Sequence, residues 1–246
     1  MEKTWMGIVL AWLLVVRSAC ADSVWALEAN GILREINPAT GGEIAQHTLA
    51  GGAIGYGGLA YGQGYLWAAH TNGVLQKFDV ATSAQSTSHT LPGGGPYVGL
   101  GFGDGYLWAL EHNGILRKIN PTTGGQVSEH TLGGGTLYSG LGFGDGYLWS
   151  VENNGILRKI DPATGGQVSE HTLMSSIGGL AEGEQLIWAI AGDGVLRRYN
   201  ITNFTEHGSS FDLPGGPYTG LEYIPEPMCM AAAALGVAAC ARRFLL

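Results

Sequence analysis

From about residue 23 to residue 224 short apolar runs alternate with glycine-bearing turns, and the alternation repeats. Trp25, Trp67, Trp108, Trp149 and Trp188 mark the copies, at spacings of 42, 41, 41 and 39 residues. Each Trp is followed by a turn pair: Asn30-Gly31, Asn72-Gly73, Asn113-Gly114, Asn154-Gly155 and Asp193-Gly194. Such a pair between apolar runs signals a β-hairpin, because both residues tolerate positive φ. The third copy shows the layout, with strands predicted over 98–103, 106–111, 115–120 and 126–132. In the first of them Gly99, Gly101 and Gly103 alternate with Leu100 and Phe102. One face is therefore bare, as a strand crowded near an axis requires.

A period near 40 residues with four antiparallel strands predicts a propeller blade. The bookkeeping of strands predicts how the ring closes. The first-strand pair Gly-Leu occurs at residues 58, 99, 140, 179 and 220, and the second-strand Trp also occurs five times. Yet the repeat region begins with a second strand and ends with a first. The orphan segment 219–223 can then complete the blade begun at Ser23, which removes exposed edges. The expectation is an all-β chain: a five-bladed β-propeller of four-stranded antiparallel blades, closed by pairing of the C-terminal strand with the N-terminal blade.

Composition narrows this further. Glycine is 42 of 246 residues and only 13% are charged, while seven Trp and ten Tyr argue against disorder. The three cysteines, Cys20, Cys229 and Cys240, all lie outside the repeats, so the body needs no disulfide or Cys-ligated metal. Residues 22–224 carry 18 Asp and Glu against 8 Lys and Arg, a net charge of −10. An acidic body has no footprint for nucleic acid, which demands clustered Lys and Arg.

Both ends read as addresses. Lys3 precedes an apolar run over 6–16, too short to span a bilayer but suited to a signal peptide. Ala19-Cys20-Ala21 supplies a small-x-small cleavage site, so residues 1–21 are expected to be removed. At the other end Pro225-Glu226-Pro227 is followed by an apolar stretch over 228–241 and then Arg242-Arg243. Fourteen apolar residues make a helix of about 21 Å, short of the roughly 30 Å hydrocarbon core. The segment 225–246 resembles the PEP-CTERM sorting signal of Gram-negative bacteria. The resemblance rests on Pro225, Glu226, Pro227, Arg242 and Arg243, and covers only the tail. It implies an exosortase-type processing enzyme as partner, an inner-membrane intermediate, release to the cell surface or medium, and a host that makes exopolysaccharide. Positive-inside logic places the arginines in the cytoplasm and the body outside it. The body 22–224 is similar to bacterial propeller repeats through Leu107-Trp108-Ala109, Gly114, Leu116, Pro121 and Thr123-Gly124. That pattern is shared by lyases, cyclases and scaffolds, so it implies a fold and no activity.

Three repeated columns are candidates for chemistry. Tyr56, Tyr97, Tyr138 and Tyr218 precede the inner strands, with Ile177 in the fourth place. Phenol rings around a channel mouth suit stacking on sugars; packing between blades is the commoner role of such aromatics and the leading expectation for the column. Glu28, His70, Glu111 and Glu152, joined by His112 and with Ala191 in the last copy, precede the turns. They offer carboxylates for a cation or for acid–base work, but the leading expectation is that they are ordinary solvated residues beside turns. His47, His89, His130 and His171 sit on outer strands of different blades, too far apart for a metal, so structural hydrogen bonds are expected. No nucleophile elbow, zinc-protease helix or phosphate loop occurs, so no catalytic residue, metal or cofactor is assigned. The leading expectation is a non-catalytic binding or scaffold module of the extracellular matrix, whose partner is a polysaccharide or a matrix protein. An envelope lyase or glycoside-cleaving enzyme and a purely structural matrix protein are the alternatives.

Overall fold

The computed structural model describes residues 22–50, 55–80, 82–134, 137–173 and 176–225. Four-stranded antiparallel sheets follow one another along the chain. Blade one starts with β1 (Ser23–Glu28), β2 (Ile32–Ile36) and β3 (Glu43–Thr48). Blade two is β4 (Tyr56–Gly62), β5 (Tyr65–His70), β6 (Val74–Asp79) and β7 (Gln85–Thr90). Blade three is β8 (Tyr97–Gly103), β9 (Tyr106–Glu111), β10 (Ile115–Ile119) and β11 (Gln126–Thr131). Blade four is β12 (Tyr138–Gly144), β13 (Tyr147–Glu152), β14 (Ile156–Ile160) and β15 (Gln167–Thr172). Blade five is β16 (Ile177–Gly183), β17 (Leu186–Ala191), β18 (Val195–Asn200) and a two-residue β19 (Phe211–Asp212).

The last strand, β20 (Tyr218–Ile224), returns to blade one and pairs antiparallel with β1, Ser23 opposite Ile224 and Val24 opposite Tyr223. Five inner strands, β20, β4, β8, β12 and β16, then stand side by side around an axis. The chain is a five-bladed β-propeller closed in the expected way.

Its core lies between blades. One apolar cluster joins Trp67 and Leu75 of blade two to Tyr97, Leu100 and Ile119 of blade three. Second strands therefore bury both faces, and β1 is buried along its whole length. The Trp column is core, 1–3% exposed in every copy. Lys118 lies over the rings of Tyr106 and Trp108, at 4.1 and 5.2 Å, and covers the outer side of that layer.

The glycine columns mark close approach. A Cβ on Gly99 would stand 2.6 Å from the Leu141 amide nitrogen of the next blade, and one on Gly103 would strike the Phe143 ring. Outer rings latch each blade to the next in a similar way. His89 and His130 pack on Gly124 and Gly165 of the following Pro-x-Thr-Gly turns, and Phe211 packs on Gly41. His171 stacks on Phe204 at 3.5 Å, and His89 Nε2 lies 3.3 Å from the Pro121 carbonyl.

The turns divide into two kinds. Asp104-Gly105 and Asp145-Gly146 have positive φ at both residues, the two-residue hairpin geometry. The Asn-Gly pairs differ from expectation, since only the glycine is left-handed there (φ 90° at Gly114). The loop includes His112 as a third residue, and the Asn113 side chain accepts from the Ile115 amide at 3.1 Å. Side-chain capping replaces the second positive φ. Among the described residues no helix is long and apolar enough to cross a membrane. Ala19, Ala21, Glu226, Pro227, Arg242 and Arg243 lie outside the described residues, while Pro225 is exposed at the end of β20.

Candidate functional site

Every inner strand begins with a bulge. In blade three Tyr97 pairs with Glu111 and Gly99 with Leu110, so Val98 has no partner. The same slip leaves Gly57, Ser139, Gly178 and Thr219 unpaired in the other blades. A bulge turns its extra residue away from the ladder. Here it turns all five toward the axis, where they line a cavity of about 400 Å³ at one end of the channel. Thr71, His112 and Asn153, each following the last residue of a second strand, complete the wall with Ser176 and Ile177.

The tyrosine column borders this cavity from within the core. Tyr56, Tyr97, Tyr138 and Tyr218 are only 1–2% exposed. Tyr138 donates its hydroxyl to the Gly133 carbonyl at 2.7 Å, and Tyr97 and Tyr218 donate to the carbonyls of Pro92 and Pro214. Burial raises all four phenols, Tyr138 and Tyr218 to about 12. These rings pack between blades and fasten the linkers. Of the two uses expected of the column, such burial is that of packing between blades.

The acidic column is also withdrawn. Glu111 is 2% exposed and Glu152 is fully buried, and neither lines the cavity. Arg117 holds Glu111 at 3.0 Å and Arg158 holds Glu152 at 2.7 Å. The same arginines reach Glu129 and Glu170 on the fourth strands. Arg34 bridges Glu28 and Glu43 in blade one. Blade two has His70 and Gln76 where blades one, three and four have Glu and Arg, and blade five has Ala191 but keeps Arg197, which pairs with Glu206 at 3.6 Å. His70 is 1% exposed, lies 4.0 Å from the Tyr56 ring, and is held toward its neutral form by burial. A carboxylate locked to a guanidinium is a poor proton donor or cation ligand. The structure thus places Glu111, Glu152 and His70 behind the wall of the cavity and not on it. Among the described residues no group of three or more His, Cys, Asp and Glu could hold a metal ion.

Of the mouth residues outside the tyrosine column, only His112 was among the candidates of the sequence; for the rest a signal existed. Copies three and four differ at only six of 36 aligned positions from Tyr97 and Tyr138 onward. Two of the six are Val98/Ser139 and His112/Asn153, both in the cavity wall. Two more, Ala109/Ser150 and Leu110/Val151, are buried, and the last two, Asn120/Asp161 and Thr122/Ala163, fall in a turn.

The opposite end of the channel holds two further residues outside the expected columns. Glu182 stands where other blades have Tyr61, Phe102, Phe143 and Tyr223, and Glu222 where they have Ala60, Gly101, Gly142 and Ala181. Both line a cavity of about 320 Å³ with Tyr61, Phe143 and Tyr223. Burial, then the charge of Asp145, pushes Glu182 up to about 7 against the opposing Lys159. Burial drives Glu222 well above the usual carboxylate range, and the charge of Glu182 adds to it.

Residues 112–206 match the family model described as outer membrane protein assembly factor BamB, a stretch shorter than half of the chain. No curated protein matches the sequence. Among solved structures, the nidogen/laminin complex includes a chain similar at TM-score 0.57 and 10% identity, covering 82% of this chain and 98% of that one. The Neurospora crassa Pan2 WD40 domain is similar at TM-score 0.52 and 12% identity, over 80% of this chain and 68% of that one. Identities this low speak to fold alone. What the ring geometry and these likenesses establish together is a β-propeller with a BamB-like repeat over residues 112–206, an architecture compatible with a binding or scaffold role.

Proposed function

We propose that this protein is an exported, non-catalytic β-propeller that binds an extracellular polysaccharide at the bulge-lined mouth of its channel. The observation that carries the reading is a contrast of chemistry. The mouth is lined by hydroxyl, amide, imidazole and small apolar groups, whereas the nearby carboxylates are buried in arginine pairs. Such a wall binds and orients through hydrogen bonds and offers no acid–base pair.

The address comes from the termini. A signal peptide cleaved after Ala21 delivers residues 22–246 across the inner membrane. The Pro225-Glu226-Pro227 tail with Arg242-Arg243 then holds an intermediate there until an exosortase-type enzyme processes it for the surface or the medium. The BamB-like match supports an envelope setting, since the matched model is named for an outer-membrane assembly factor.

The test is retention of the mature protein on polysaccharide isolated from its own host. Wild type is expected to be retained. Ser139→Trp, which fills the mouth with a side chain free to point outward, is expected to pass through with an unchanged melting temperature. Equal retention of both would overturn the reading, and so would turnover of the polysaccharide. Mass spectrometry of the secreted form should show a C-terminus near Pro227; retention of Arg243 would contradict the sorting proposal.

A further inference from the structure

Two atoms in the mouth define what chemistry it accepts. The His112 ring places Nδ1 2.7 Å from the carbonyl oxygen of Tyr138. A carbonyl only accepts, so Nδ1 carries the proton, and in the neutral ring Nε2 is left as an acceptor with a free lone pair. No described residue is hydrogen-bonded to Nε2. The second atom is Thr219 Oγ1, which is buried with no hydrogen-bond partner on the same wall. Buried polar atoms normally have partners, and one without is a position for a ligand group.

The surroundings restrict the ligand further. Among the described residues no Asp, Glu, Lys or Arg side chain lines the cavity to compensate a ligand charge. The body carries a net charge of −10 over residues 22–224, which repels polyanions. Val98 and Ile177 add apolar surface beside the polar groups. The volume, about 400 Å³, falls within the roughly 300–1,000 Å³ of small-ligand pockets. Apolar patches, hydrogen-bonding groups of both kinds and no charge together match a sugar ring bearing only hydroxyls.

We infer that the mouth recognises an uncharged sugar unit, with His112 Nε2 accepting from one hydroxyl and Thr219 Oγ1 bonded to another, and that it rejects uronate-bearing polymers. The inference rests on the polysaccharide reading above and names its ligand class. His112 and Thr219 are the residues that determine specificity.

Affinity electrophoresis of the mature protein in gels containing dextran, laminarin, xylan or galactomannan, and separately alginate or polygalacturonate, tests it. At least one neutral polymer is expected to retard wild type, and neither polyuronate. His112→Phe removes the acceptor and is expected to weaken the retarding interaction about tenfold, as for loss of one well-placed hydrogen bond. His112→Gln keeps an acceptor and should restore most of the retardation. Thr219→Val should weaken it too while leaving the melting temperature equal or higher, because an unpaired buried hydroxyl has been removed. A purely structural role for either residue predicts no change in retardation by the folded variants. Retardation by a polyuronate that Ser139→Trp abolishes would overturn the inference and leave the polysaccharide reading standing. Retardation by no polymer at all would overturn both.

Discussion

Arg117 Nη2 lies 3.0 Å from Glu111 Oε1 across the Asn113-Gly114 turn, with the carboxylate side chain only 2% exposed and the guanidinium side chain 10%. Nε of the same arginine reaches that oxygen at 3.1 Å, and Nη1 reaches Gln126 at 2.8 Å. A buried charge left without its partner is costly, so loss of one residue calls for loss or re-pairing of the other. Blade five, with Ala191, keeps Arg197 but pairs it with Glu206. Blade two, with His70 and Gln76, shows the joint change within this chain.

Arg117→Met should therefore destabilise the protein by about 3 kcal/mol, by stranding Glu111. The double variant Glu111→His/Arg117→Gln, which copies blade two, should recover most of that loss. Urea denaturation of the two variants decides the matter. A double variant as unstable as the single one would mean that the pair is not an exchangeable unit.

For the tyrosine column the expected effect falls on stability. Tyr97→Phe removes the hydroxyl donated to Pro92 and should cost about 1 kcal/mol. Tyr97→Ala empties a site that is 1% exposed and should cost about 3–5 kcal/mol. Polysaccharide retention by Tyr97→Phe should match wild type. A loss of retention without loss of stability would return the ring to the binding site.

Ring closure has its own signature. Tyr218, Leu221, Tyr223 and Ile224 are buried at 1–5% exposure, and β20 covers the edge of β1. Leu221→Asp puts an unpaired charge in that seam and should lower the melting temperature by about 10 °C or more, at roughly 2–4 °C per kcal/mol for a chain of this size. A shift within a degree or two of wild type would mean that the seam contributes little.

The channel carboxylates predict a pH dependence. Glu182 is raised from 4.5 to about 7, first by burial and then by Asp145, with Lys159 opposing. A carboxyl raised on folding lends stability in its protonated form. That contribution is complete below the unfolded value of 4.5 and is lost as pH rises through about 7. Wild type should melt lower near pH 8 than near pH 5. Glu182→Gln should reduce the difference by about 1 kcal/mol, a figure discounted for the partial exposure of this side chain. Differential scanning calorimetry at the two pH values checks the sign, and a variant that keeps the full wild-type difference would exclude Glu182 as its source.

Much of the architecture was open to reading because repetition amplifies weak local signals. Strand limits in blade three agree within one residue, and closure followed from counting Gly-Leu and Trp motifs at the two ends. The site was far less legible. Tyr97 and Glu111 stood out as repeated polar-tipped residues, yet they recur as framework, the tyrosine in four copies and the Glu–Arg pair in three. Repetition marks framework. Val98 was not legible as a wall residue, because the bulge that turns it toward the axis leaves no residue type as its signature.

Local chemistry along the chain was enough to specify the strands, the glycine turns, the number of blades and the segment that closes them. These follow from period, turn propensity and the apolar alternation, all of which act over a few residues. Only the folded ring decided which polar groups meet solvent in the channel and which are sealed between blades. Burial of Tyr97 and Glu111, the bulge at Val98 and the approach of Glu182 to Glu222 all depend on neighbouring blades distant in sequence. Those relations arise when five sheets crowd about one axis.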